Sequence, residues 1–309
     1  MERTETPAGA PEAESPAAPV PAEEAAPRQT TPFLVLQFFI FPMAIVAVCV
    51  TVFVIFGLIA SEGKGARAYL DEVRTGSANR RWQAAFELSK VLQARKDPSL
   101  SDPAFADELV RVFTGAGADD PRVRRYLALA LGRLGDKRAV PALIQAAEPR
   151  GDTPADADTQ VYAVWALGAI GDPEAVPTLA SLARGEDAGL RKAAVHALGS
   201  FPGEASRAAL LIAINDPVED VRWNAAVALA RRRDPEAAPV LLQMMDRRHL
   251  DTIADLSGEQ REEAVLQAVQ AAAVVPDPSL RSALEGLRDS DPSMTVRAAA
   301  RAALEGKQP

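Results

Sequence analysis

Residues 216–244 read DPVEDVRWNAAVALARRRDPEAAPVLLQM, and the spacing within them decides the fold. In the first half, Val218, Val221, Ala225, Ala228 and Leu229 fall mostly three or four residues apart, which lays them along one face of a helix. Asp216 is placed to cap that helix through its short carboxylate, and Pro217 suits a first helical position, where no N–H is needed. Asp234 and Pro235 end the helix and turn the chain. Ala238, Val240, Leu241 and Met244 then make a second apolar stripe, with Pro239 tolerated in the opening turn. Two short helices bury too little surface to offset the entropy of ordering them, so the unit is stable only when stacked on copies of itself.

The copies are there. DPRVRRYLALALGRLGDKRAVPALI opens at Asp120, DTQVYAVWALGAIGDPEAVPTLA at Asp158 and DAGLRKAAVHALGSFPGEASRAALL at Asp187. The leucines closing each first helix are Leu131, Leu167, Leu198 and Leu229, spaced by 36, 31 and 31 residues, and the excess sits in the polar loop EPRGDTPAD after Ala147. A weaker copy runs through Ala264, Ala268, Val269, Leu280 and Leu287, and a half-copy from Asp291 ends the chain. Upstream, Trp82, Ala85, Phe86, Leu88 and Leu92, then Phe105, Leu109, Val110 and Phe113, read as a divergent first repeat, as expected of a unit with one unpaired face.

The pattern D-x-x-V-R-x-x-A-x-x-A-L-G, then D-x-x-A-V-P-x-L, resembles the short HEAT-like repeats first associated with phycobilisome bilin lyases, over residues 79–309. The resemblance implies an all-α, right-handed α-solenoid of about seven antiparallel helix pairs. It also implies a polar ladder between repeats, with Arg124, Arg191, Arg222 and Arg297 in the basic role and Asp136, Asp172 and Asp234 at the turns. Three departures put that ladder in doubt locally: Gln160 holds the basic position of the third copy, Pro202 and Gly203 replace a turn aspartate, and Arg261 with Glu262 replace valine and arginine. Weaker inter-repeat contacts are expected there, and 246–258 reads as a local irregularity. A repeat scaffold says little about activity.

Before the repeats the character changes twice. Residues 1–31 are rich in Pro, Ala and Glu without apolar periodicity and read as a disordered tail. Residues 32–60 carry no charge and only Gln37 and Thr51 as plainly polar interruptions. Spanning a bilayer core takes roughly 20 residues, so this run is expected to be one transmembrane helix contacting lipid, with Phe33 to Phe41 tilted or bent at Pro42. A cleavable signal would have an apolar region of about 7–15 residues behind a basic start, not a longer one behind an acidic tail. Residues 61–78 would be a juxtamembrane linker. Arg28 precedes the helix, whereas Lys64, Arg67, Arg74, Arg80 and Arg81 follow it, which places the repeats in the cytoplasm and the N-terminus outside a bacterial-type cell membrane.

Composition supports helices: aromatic residues are 5% of the chain and small residues abound. About half of the net charge of -8 lies in the tail, where six glutamates face Arg3 and Arg28. The remainder is mildly acidic, which argues against nucleic acid as a partner, since phosphate binding needs a basic stripe. The single cysteine, Cys49, can form no intramolecular disulfide.

Chemistry is sparse. The two histidines, His196 and His249, are followed by Ala197 and Leu250, unlike the His-Glu dipeptides of the iron-binding deoxyhypusine hydroxylase type of the same repeat class. No Cys or His cluster has metal-ligand spacing, no phosphate loop is present and no triad is indicated. His196 reads as structural or surface, His249 as solvated in a loop, and Trp165 and Trp223 as core. No catalysis and no cofactor are expected. The expected function is a membrane-tethered scaffold for a protein partner, an accessory or assembly subunit, with a bilin-lyase-like enzyme or chaperone as the alternative. Candidate partner contacts are Trp223, Asn224, Arg231, Arg232, Arg233, Arg247 and Arg248, whose arginines could form a basic patch for an acidic partner; the plainer reading of those arginines is a solvated helix end.

Overall fold

The computed structural model describes residues 40–60, 64–118, 120–148 and 156–306. The acidic tail 1–31, the start of the apolar run at 32–39 and the polar loop at 149–155 lie outside them. Among the described residues all regular structure is helical.

α1, Phe41–Ala60, is 20 residues long and carries no charged side chain. Pro42 lies in its first turn, where it breaks no helical hydrogen bond. The side chains described in α1, at 41–55, are all exposed; Phe53 is 81% accessible. Thr51 satisfies its hydroxyl within the helix by donating to the Ala47 carbonyl at 2.8 Å. Among the described residues no helix is long and apolar enough to cross a membrane.

Residues from Lys64 onward form a second compact unit. In chain order its helices are α2 Ala66–Thr75, α3 Ala78–Gln93, α4 Pro103–Gly115, α5 Pro121–Leu134, α6 Val140–Ala147, α7 Ala157–Ile170, α8 Val176–Leu182 and α9 Ala188–Leu198. α10 Glu204–Ala213, α11 Glu219–Arg231, α12 Ala238–Met245, α13 Arg247–Asp251, α14 Gly258–Ala272, α15 Pro278–Ser290 and α16 Met294–Leu304 complete it. Two series emerge. α3, α5, α7, α9, α11, α14 and α16 lie side by side, each packed along the next, and form a ridge. α2, α4, α6, α8, α10, α12 and α15 flank them, each packed chiefly on the ridge helix that follows. The tight pairs are therefore offset by half a unit from the 216–244 reading: α12 packs less on α11 than on α14. Among the described residues seven such pairs result.

The unit also starts earlier than residue 79. Ala66, Leu70 and Val73 of α2 are buried in the shared core, so most of the expected linker is the first flanking helix. The apolar stripe at intervals of three and four residues is the cause.

Close approach of ridge helices explains the glycine of each ALG triplet. A Cβ on Gly132 would stand 2.8 Å from the Ala166 Cα, and one on Gly168 would stand 2.8 Å from the Ala197 Cβ. The closing leucines Leu131, Leu167, Leu198 and Leu229 have no exposed surface, and burial of each contributes roughly 1.5–3 kcal/mol. Four residues after three of these leucines the chain turns left-handed, at Gly135 (φ 75°), Gly171 (φ 72°) and Arg233 (φ 59°).

Asp136, Asp172 and Asp234 then cap the 3-10 turns that lead into the flanking helices, accepting from the amides of Arg138, Glu174 and Glu236 at 2.9–3.1 Å. Two helix starts differ from the sequence reading. α7 is capped by Asp156, which accepts from Thr159, rather than begun at Asp158. α11 begins at Glu219, not Pro217; the Asp216 carboxylate turns to Arg191 and caps the Val218 amide.

At two of the departures a side chain bridges the repeats, while α11 and α14 of the sixth copy make the thinnest contact between neighbouring ridge helices, as expected. Around Pro202 and Gly203, Arg232 of the next repeat donates to the carbonyls of Gly203 and Phe201 and to the Ser206 hydroxyl. At the sixth copy Glu262 accepts from Ser293 at 2.8 Å. The 246–258 stretch is irregular as expected; it holds α13, whose Leu250 is fully buried.

Candidate interaction face

Guanidinium groups fix the spacing of the repeats. Arg125 reaches Asp156 through two bonds of 2.9 and 2.7 Å, Arg191 reaches Asp216 at 2.8 and 3.1 Å, and Arg247 reaches Asp291 at 3.0 and 2.9 Å. In each case a carboxylate just ahead of a later ridge helix receives a planar fork. The Arg125 fork, then Thr159, holds the Asp156 carboxyl down at about 2, despite the opposing effect of burial. Burial pushes the Asp216 carboxyl up, but bonds from Arg191 and the Val218 amide outweigh it and leave it below its ordinary value.

Of the ladder arginines, Arg191, Arg222 and Arg297 share one device: each donates back to a carbonyl six residues earlier, in the turn before its own helix. Only Arg191 of these also pairs with a carboxylate of the next repeat. Arg124 instead lies over the Phe113 ring, 5.6 Å from its centroid. The turn aspartates do not pair with this series; Asp136 binds Arg138 and Asp234 binds Arg207 at 2.6 Å.

The residues proposed for partner contact divide in two. Trp223 is 8% exposed, with its indole nitrogen buried and unpartnered among the described residues. Arg232 and Arg247 spend their guanidinium groups on the internal bonds above. Asn224, Arg231, Arg233 and Arg248 keep solvent access, and the first three line one trough across α9, α11 and α14, with a volume of about 630 Å3. That trough shares His196 and Asn224 with a neighbour of about 490 Å3 across α7 and α9.

A repeated register produces this surface. The residues five and two before each closing leucine, and two after it, stand on the open side of the ridge: Tyr162, Trp165 and Ala169 in α7, Ala193 and His196 in α9 with Ser200 just past its end, Asn224, Val227 and Arg231 in α11. Most of these line the troughs. In α14 the same spacing gives Gln267 and Gln270, with Val274 just past its end. Trp165 is 41% exposed rather than core, and Tyr162 stacks edge-on with Tyr126 of α5, whose ring meets Phe86 of α3. The sequence carried a signal for this stripe: Tyr126 and Tyr162 stand five residues before Leu131 and Leu167.

His196 is exposed on the trough, whereas His249 lies half-buried in α13 with its Nε2 enclosed and without a partner among the described residues, not solvated in a loop. Among the described residues no group of three His, Cys, Asp or Glu side chains could hold a metal ion.

A ridge of stacked helices with a continuous open face defines a helical-repeat protein. Residues 152–222 match HEAT repeats, and residues 123–148 and 221–247 match the PBS lyase HEAT-like repeat; the chain carries HEAT-like repeats along its centre. No curated protein matches the sequence. Among solved structures, the complex of CpcE and CpcF of phycocyanin lyase from Nostoc sp. PCC7120 is similar at 22% identity, with 79% of this chain and 97% of that chain covered and a TM-score of 0.50. An archaeal HEAT-like repeats protein from Thermococcus onnurineus is similar at 14% identity, covering 80% of this chain and 98% of that chain at a TM-score of 0.44. Human deoxyhypusine hydroxylase in complex with glycerol is similar at 18% identity over 78% of this chain and 95% of that chain, at a TM-score of 0.33. At these identities the likeness concerns the fold alone.

Proposed function

We propose that this protein is a membrane-tethered scaffold that holds a partner protein on the open face of its ridge helices, as an accessory or assembly subunit of a membrane complex. The observation that carries the reading is the trough, lined by exposed Trp165, His196 and Arg231 and half-buried Asn224. Catalysis is not part of it.

The tether rests on α1. α1 supplies twenty residues of the uncharged run 32–60 and its side chains at 41–55 are exposed; the run as a whole has the roughly 20 or more apolar residues that a bilayer core asks for. The uncharged residues 32–40 extend the same run. Basic residues after α1 favour a cytoplasmic repeat unit and an outside N-terminus. Confinement to the membrane raises the effective concentration for any membrane-bound partner, and Gln37 suits a contact with another membrane helix.

A second reading, a lyase-like enzyme or a chaperone acting on a bound cofactor or protein, draws on the fold shared with the phycocyanin lyase complex. Affinity purification of the full chain in mild detergent, beside a chain lacking 33–60, separates the two. Partners are expected with the full chain, some of them lost without the anchor. Absence of any partner from both would overturn the scaffold, and a purified chain carrying a chromophore would favour the lyase reading. A C-terminal reporter active only after export is expected to stay silent.

A further inference from the structure

The trough changes chemistry along its length. At α7 it offers an aromatic side chain, the exposed Trp165. At α11 it offers cations: Arg231 and Arg233 are both exposed on it, and among the described residues neither forms an ion pair. Between them stand the side chains of His196 and Asn224, common to both parts. Glu263 is the acidic group on this wall, and it accepts from Gln267 at 3.0 Å.

Arg233 is the telling residue. It occupies the left-handed turn that two other copies fill with Gly135 and Gly171, at φ 59°. A side chain in that conformation is strained, so a glycine there would serve the fold better. The chain instead keeps a long cation at the trough rim. Strain held at an exposed, charged position points toward binding.

We propose that the trough takes an acidic linear segment of the partner protein, laid in extended form across the ridge. Its carboxylates meet Arg231 and Arg233, and an aromatic or large apolar side chain rests on Trp165. Trp165 and Arg231 lie two ridge helices apart, roughly 16–20 Å at ordinary helix spacing. An extended chain covers that distance in about six residues. The segment therefore carries its apolar anchor about six residues from an acidic pair. This rests on the scaffold reading and names the partner's chemistry.

The test uses the full chain in detergent and fluorescein-labelled 14-residue synthetic peptides bearing one Trp six residues from a Glu pair. Controls replace the pair by Lys, or move it next to the Trp. Saturable anisotropy is expected for the spaced acidic peptide alone, weakened at least tenfold by Arg231→Glu with Arg233→Glu and several-fold by Trp165→Ala. Arg248→Glu, away from the trough, should leave it unchanged. Arg233→Gly is the sharpest variant: it should raise the melting temperature while weakening the peptide, which a purely structural arginine would not do. Equal binding of acidic and basic peptides, indifference to the arginine reversals, or charge-dependent binding to phosphatidylserine vesicles without peptide binding would each overturn the proposal. If native partners still co-purify with the doubly reversed chain, the scaffold stands and this site falls; if none co-purifies even with the unaltered chain, the scaffold itself falls.

Discussion

At the scale of single residues, the fold depends on places where a side chain is missing or pinned. Gly168 lets α7 lie against α9, with the Ala197 Cβ at 2.8 Å from where its own Cβ would stand. Gly168→Leu should force those helices apart and cost about 2–3 kcal/mol, read as a lower urea midpoint. Asp156 is pinned by Arg125 and Thr159, and its carboxyl is held at about 2 against an ordinary 3.8. A depressed carboxyl pKa contributes stability that is complete above pH 4 and lost as pH falls toward 2. With its side chain 29% exposed, that contribution is on the order of 1–2 kcal/mol. Asp156→Asn should lower stability at pH 7 by that order and flatten the acid limb of a pH-dependent unfolding curve. None of these contacts can be read from spacing. The glycine of ALG looks like a turn residue in the sequence, and its neighbour is visible only once the ridge helices are side by side.

Elements show what periodicity can and cannot give. The 3.6-residue stripes and the shared register place the helices, because the leucine that closes each one must be buried whichever neighbour covers it. Partner choice between helices was not legible. The stretch 216–244 suggests that α11 and α12 form a unit, yet α12 packs chiefly on α14, because stacking buries the far side of each flanking helix. Long-range ion pairs were missed for the same reason: Arg191 and Asp216 are 25 residues apart and meet only through the stack. Their side chains are 11% and 8% exposed, so Arg191→Ala removes four hydrogen bonds and strands a buried carboxylate, and should cost about 3 kcal/mol. Arg191→Lys should rescue little of it, since an ammonium lacks the fork. Hydrogen exchange at the start of α11 is the local readout, and it should rise in both variants. For α1, deletion of 33–60 should move the chain from the membrane pellet to the supernatant; persistence in a carbonate-washed pellet would argue that the repeats themselves bind the bilayer.

The repeat unit as a whole is a stack whose interior is spent on itself and whose ridge face is not. Three of the seven residues put forward from sequence for partner contact, Trp223, Arg232 and Arg247, belong to the stack. Asn224, Arg231 and Arg233 of that set line the trough, where Trp165 and His196 join them. The peculiarity of the fifth copy was visible in the sequence; the face it serves was visible only in three dimensions. Site-specific photo-crosslinking in intact membranes tests the central claim most directly, with a photoreactive side chain at Gln270 on the ridge face or at Ile212, which is 52% exposed on flanking helix α10. A discrete adduct with one polypeptide is expected from position 270 and not from 212, whereas adducts from 212 alone, or equal labelling from both, would contradict a partner held on the ridge.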